Sequence, residues 1–239
     1  MARLDEKEGD IVNRSALIPL AMAAIVCAFF VAGFAWDADF TPSSYQPAVG
    51  ETVTFAICDT CFEDGSYRYE WDFDGDGTMD LETTDLNVTY TYEEGGFYEV
   101  RLTMFDGDGR WGTKLKGILV GDFPAYAVRE TVDQGDGTIF VLLTITVLES
   151  ISAPGIEESM PRGWQFELLD GGGAITNANG QDRVYEAVWG SQLEGGEELT
   201  FSYRLHPAGA MEAQLQGTLS GLVEGRFVAE ICGDLEVQP

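Results

Sequence analysis

The sequence is poor in positive charge. Thirteen Lys and Arg face 41 Asp and Glu, giving a formal net charge of −28, and the only lysines are Lys7, Lys114 and Lys116. This balance excludes a nucleic-acid footprint, which needs clustered cations to displace phosphate counterions. The acids are spread along the chain, so they read as a solvated surface kept soluble at high salt; a cation-binding surface is the competing reading. Histidine is nearly absent, because His206, before Pro207, stands alone. One histidine with no paired Ser or Cys motif argues against a hydrolase triad and leaves too few ligands for zinc. No nucleophile elbow, zincin helix or phosphate loop is found, so no catalytic residue is assigned and the chain reads as no enzyme.

Cysteine is scarce too, with four in 239 residues. Cys58 and Cys61 close the segment ETVTFAIC, and in an oxidising exterior they predict a local disulfide. Cys232 is then left over, as a buried thiol or an intermolecular link. Cys27 sits in an apolar run and reads as a buried thiol.

That run is the single long stretch without charge. SALIPLAMAAIVCAFFVAGFAW, residues 15–36, lies between Arg14 and Asp37. As a helix at about 1.5 Å per residue it would span about 33 Å, enough to cross a bilayer. Arg3, Lys7 and Arg14 precede it, which places residues 1–14 in the cytoplasm as a short head and everything beyond Trp36 outside. The expectation is an uncleaved membrane anchor at 15–36, with Trp36 at the membrane interface. Gly33-Phe34-Ala35 offers the competing cleaved-signal reading. A third reading takes Glu8-Gly9-Asp10 as the junction of a pilin-type leader, with the apolar helix driving self-assembly into a filament.

What is abundant points to strands. Segments 51–58, 67–73, 86–92, 97–105 and 113–120 alternate apolar and polar residues between Gly/Asp-rich turns, as in a β-sandwich. In FYEVRLTMF, Tyr98, Val100, Leu102 and Met104 form the expected core face. A second set follows at 125–132, 137–149, 164–169, 184–190, 197–206, 212–221 and 225–232. The expected fold class is therefore an all-β ectodomain of two tandem sandwiches, 37–121 and 122–239, hinged at Gly121-Asp122-Phe123-Pro124. Asn87-Val88-Thr89 is an N-glycosylation sequon on the exterior side. Trp164, Trp189, Tyr185 and Tyr203 offer either core or a sugar-stacking face, and core is the stronger reading.

The stretch WDFDGDGTMD packs Asp72, Asp74, Asp76 and Asp80 around Gly75 and Gly77. Alternate aspartates with a following glycine match the first half of a calcium loop, but Thr83 stands where the bidentate glutamate belongs. The competing reading is a hydrated turn whose aspartates bond their own backbone. Both stay open. A catalytic dyad does not, because glycosidase carboxylates converge from separate elements.

YRYEWDFDGDG followed by VTYTYEEGGFYEVRLTMFDGDG resembles the polycystic kidney disease (PKD) domain. Trp71, Asp72, Phe73, Asp76 and Gly77 carry the first half of the resemblance. Tyr92, Gly96, Tyr98, Val100, Leu102 and Asp106 carry the second. Asp74-Gly75 enlarges the signature loop, and Tyr90 stands where histidine is common. EESMPRGW, Trp189 and GGEELTFSYRL are similar to an accessory β-sandwich of secreted multidomain proteins. The resemblance implies an immunoglobulin-like first sandwich and protein–protein or protein–polysaccharide contacts. The acid-rich, lysine-poor balance resembles that of salt-adapted archaea. The expected function is a non-catalytic, membrane-anchored surface protein acting in adhesion, spacing or envelope assembly. A filament subunit and a carbohydrate-binding accessory module are the alternatives.

Overall fold

The computed structural model describes residues 38–58, 66–109, 111–179, 183–207, 209 and 212–237. The segments expected to be the head and anchor, 1–14 and 15–36, lie outside the described residues, as does Cys61. Among the described residues there are strands and no helix, and none of them forms a helix long and apolar enough to cross a membrane.

The first half of the chain contributes seven strands: β1 (Phe40–Pro42), β2 (Thr52–Ile57), β3 (Arg68–Asp72), β4 (Leu81–Thr83), β5 (Asn87–Thr91), β6 (Gly96–Phe105) and β7 (Trp111–Val120). The short sheet β1-β2-β5 covers one face of the β7-β6-β3-β4 run, and the side chains between them form one core cluster. Alternation decides which residues enter it. Val100, Leu102 and Met104 are fully buried, and Tyr98 packs against the cluster's edge. Aromatic rings fill the space: Trp71 stacks on Phe73 at 5.3 Å, Phe73 on Tyr90 at 4.5 Å, and Phe40 meets Trp71 edge-on at 5.1 Å. Such pairs add to the area they bury, about 0.5–1.5 kcal/mol each.

The second half contributes β8 (Ala125–Asp133), β9 (Ile139–Val147), β10 (Ile151–Ser159), β11 (Gln165–Asp170), β12 (Ile175–Asn179), β13 (Val184–Val188), β14 (Gln192–Leu193), β15 (Glu198–His206), β16 (Ala213–Gln214), β17 (Gln216–Leu222), β18 (Arg226–Glu230), β19 (Cys232–Asp234) and β20 (Glu236–Val237). A six-stranded sheet runs β12-β13-β10-β17-β18 with β14 on β10, and β11-β15-β9-β8 belongs to the opposing sheet. Val141, Leu143, Ile145, Phe201, Tyr203 and Leu219 fill the space between them.

Strand β10 is absent from the expected set, because ISAPGIEES reads as a Pro-Gly turn. It is instead central to its sheet, and the register slips by one residue between Ser152 and Gly155. Ala153 takes a positive φ of 47° there. The bulge gives Pro154 a place without a ladder hydrogen bond.

The chain does not end as one strand at 225–232. After β18 it switches sheets at Ile231, and β19 enters between the halves. Cys232 and Gly233 pair in parallel with Val128 and Arg129, while Gly233 and Asp234 pair antiparallel with Gly117 and Lys116. One nine-stranded sheet results, β11-β15-β9-β8-β19-β7-β6-β3-β4, and it runs through both halves. At the connection 121–124, Gln46 Nε2 donates to the carbonyls of Gly121 and Phe123 at 3.1 and 3.2 Å.

Candidate functional site

Strand β3 delivers Asp72 to the mouth of the acidic loop, where its carboxylate organises the turn. Oδ1 accepts from Gly75 N at 2.7 Å and Oδ2 from Gly77 N at 2.9 Å. Both glycines need positive φ, 75° and 82°, which is why these positions are glycine. Asp80 Oδ2 accepts from Phe73 N at 2.7 Å, and Asp80 N donates to Trp71 O at 2.8 Å. The loop thus closes on its own base, and Tyr92 donates its hydroxyl to Phe73 O at 3.2 Å from behind.

Asp72, Asp74 and Asp80 each bring a carboxylate oxygen within 4.8 Å of the other two. Asp76 is not in that set; its Oδ1 accepts from Thr78 N at 2.6 Å. Three hard oxygens suit calcium, with water or carbonyls making up the remaining ligands. The same oxygens already hold the backbone, so the turn reading needs no ion.

The other expected sites fall as follows. Cys58 is disulfide-bonded. Asn87 opens β5 with its side chain exposed. Tyr185, Trp189 and Tyr203 are core, and Trp164 packs against the same cluster half-buried. Trp189 donates Nε1–H to Gly172 O at 2.9 Å. His206 meets Glu167 Oε2 at 3.0 Å beside Arg204, on an exposed strand pair.

Sequence reasoning missed a buried polar cluster. In the second half, Arg129 Nη2 donates to both oxygens of Glu158, and both side chains are fully buried. Arg129 Nη1 also donates to Asp234 O at 3.0 Å, so the same guanidinium grips β19. Burial pushes the Glu158 carboxyl up, and Arg129 opposes that rise. Beside it, Lys114 and Lys116 lie 2.9 and 3.5 Å from Asp234 Oδ1, and Lys116 lies 2.8 Å from Asp39. Thr131 donates its N–H and hydroxyl to Asp234 Oδ2 at 2.8 and 2.9 Å. Burial alone would raise the Asp234 carboxyl, but Lys116 and Lys114 outweigh it and hold it below its usual value. Burial also opposes the charge of Lys116, and Asp234 and Asp39 outweigh it. Cys232 lies inside this seam, its thiol pushed up to about 12 by burial. A signal existed in the sequence: two of the three lysines alternate on one strand of a strongly acidic chain.

Residues 37–116 match the family model of the PKD domain. A 90-residue stretch is 36% identical to collagenase ColA of Clostridium perfringens, covering 37% of this chain and 8% of the collagenase. Among solved structures, a carbohydrate-binding module of the β-sandwich superfamily is similar over 84% of this chain and 97% of its own, at 17% identity and a TM-score of 0.34. The collagen adhesin of S. aureus is similar over 84% and 93%, at 10% identity and 0.32. The major pilin SpaD of Corynebacterium diphtheriae is similar over 81% and 63%, at 8% identity and 0.40. These scores lie below 0.5.

Proposed function

We propose that this chain, with its PKD domain at 37–116, is a non-catalytic surface module held at the membrane by residues 15–36. It works as an adhesive spacer through contacts with proteins or polysaccharides outside the cell. The observation that carries this reading is the continuous nine-stranded sheet, in which β19 ties both halves into one body. A spacer must transmit load between its ends without the halves parting, and a shared sheet with a buried ion-pair seam suits that task.

The buried charged groups support the same reading. Asp72, Lys116, Arg129, Glu158 and Asp234 are each occupied by a backbone group or an opposite charge. A general acid or base must face a substrate instead.

The test is surface exposure and attachment. Protease added to intact cells should remove residues beyond 36 while the 1–14 head survives. Deleting the gene segment for 37–239 should weaken attachment to surfaces or partner cells without loss of a hydrolytic activity. A chain protected from external protease overturns the proposal. N-terminal sequencing decides the filament alternative, since a mature terminus at Asp10 would support it.

A further inference from the structure

Trp111 is 63% exposed, and among the described residues no other Trp, Phe or Tyr is exposed. It opens β7 directly opposite Phe105 of β6, and Phe105 lies directly opposite Arg68 of β3. Residues paired in this way point to one face of the sheet. Met104, next to Phe105, is fully buried, so the Arg68–Phe105–Trp111 row lies on the face away from the core.

The row is held in place. The Arg68 guanidinium sits over the Phe105 ring at 4.2 Å from its centroid. Glu70 bonds its Nη1, and Glu82 bonds the same atom at 2.7 Å. Glu82, Glu70, Thr103 and Thr113 form the next row across the same strands. Rows two residues apart on a strand stand about 7 Å from each other. An indole plane and a fixed fork of N–H donors therefore lie beside carboxylate acceptors on one face of the sheet.

We propose that this row is a binding platform for a neutral polysaccharide, with a pyranose ring stacked on Trp111 and hydroxyls bonded by Arg68, Glu70 and Glu82. The proposal rests on the surface-module reading and names the ligand of one face of it. Three features select this ligand class. A sugar ring presents an apolar C–H face to an indole and hydroxyls at its rim, which both donate and accept. The two carboxylates beside Arg68, in a chain of net charge −28, repel uronic acid and sulfated polymers. A polyproline segment docks in a groove between aromatic ridges, and Trp111 offers one ring on an open sheet.

The experiment is affinity electrophoresis of the full chain through gels carrying soluble β-glucan, xylan or galactomannan, with pull-down on insoluble cellulose and chitin. Heparin, polygalacturonate and poly-L-proline form the comparison arms. Retention by at least one neutral polymer is expected, weakened at least tenfold by Trp111→Ala and partly kept by Trp111→Tyr. Because Trp111 is exposed, the melting midpoint of Trp111→Ala should match the wild type. In the unaltered chain, bound polymer should shield an indole from iodide quenching. Absence of retention by every neutral polymer overturns the proposal, as does retention indifferent to Trp111. Retention only by heparin, polygalacturonate or poly-L-proline also overturns it but leaves the surface-module reading standing. That reading fails separately, if the chain is protected from external protease.

Discussion

Arg129 Nη2 lies 2.7 and 2.8 Å from the two carboxylate oxygens of Glu158, and neither side chain touches solvent. Removing one partner strands the other charge in the core. Glu158→Gln is expected to cost about 3–5 kcal/mol by urea denaturation. Replacing both together, Arg129→Met with Glu158→Leu, should recover much of that loss, because the pair's desolvation cost goes with its attraction. A double variant no more stable than either single one would refute this account of the pair.

The seam also predicts how stability depends on pH. Asp234 is held below its usual value in the folded state by Lys116 and Lys114. It therefore adds stability above the unfolded value of about 3.9, and that stability is lost as pH falls through the folded value. Lys116 is raised, so its share is present below about 10.4 and lost as pH rises through its folded value. Asp234→Asn should lower the urea midpoint at pH 7 and flatten its fall between pH 5 and pH 2, measured side by side with the wild type.

Gly233 has φ of 80°, and a Cβ there would stand 2.1 Å from the Arg129 carbonyl oxygen. Gly233→Ala must therefore both strain the backbone and push β19 off β8. A loss of more than about 2 kcal/mol is expected. Limited proteolysis should then cut at 121–124, and the wild type should resist there. A variant with wild-type stability and protection would show that β19 is not the tie between the halves.

The aspartate loop makes a metal-dependent prediction. If calcium binds Asp72, Asp74 and Asp80 at millimolar affinity, 10 mM calcium against chelator adds about 1.4 kcal/mol when the dissociation constant is about 1 mM. That shifts the midpoint of a chain this size by roughly 3–6 °C. Asp74→Asn should abolish the shift while leaving the chelated midpoint nearly unchanged. Asp72→Asn should lower both midpoints, since it leaves one acceptor for the two amides of Gly75 and Gly77 and turns an N–H donor toward the other. Equal midpoints with calcium and chelator take the ion out of the account.

Much of this fold was legible in local pattern. Alternation identified β6 and, to within two residues at each end, β9, because Val100, Leu102 and Met104 of β6 and every second residue of β9 are buried. Local pattern failed where a distant partner decides the conformation. Pro154 and Gly155 look like a turn and become strand only because β13 and β17 flank them with a bulge. Residues 232–234 are too few to show a period, and their place is fixed by strands more than a hundred positions earlier. Trp111 was passed over because its neighbours read as a turn, whereas Trp164 and Trp189 adjoin β11 and β13, whose Phe166 and Tyr185 share their core cluster. The buried pair Arg129–Glu158 left no trace, since Arg129 stands beside the exposed Glu130 and Glu158 beside the exposed Glu157, as charges do on exposed strands.

The strand that closes the nine-stranded sheet is the last of its members to be made. In sequence, 103 positions separate Thr131 from the Asp234 that bonds it. At about 5–20 residues per second, translation takes roughly 5–20 s to cover that distance. Throughout it, β7 and β8 have emerged with unpaired edges, the kind of template on which neighbouring chains aggregate. Biogenesis must therefore cover or delay those edges, by a holding chaperone or by export of the chain before it folds, and the acidic surface that keeps the finished molecule dispersed would serve the nascent one as well.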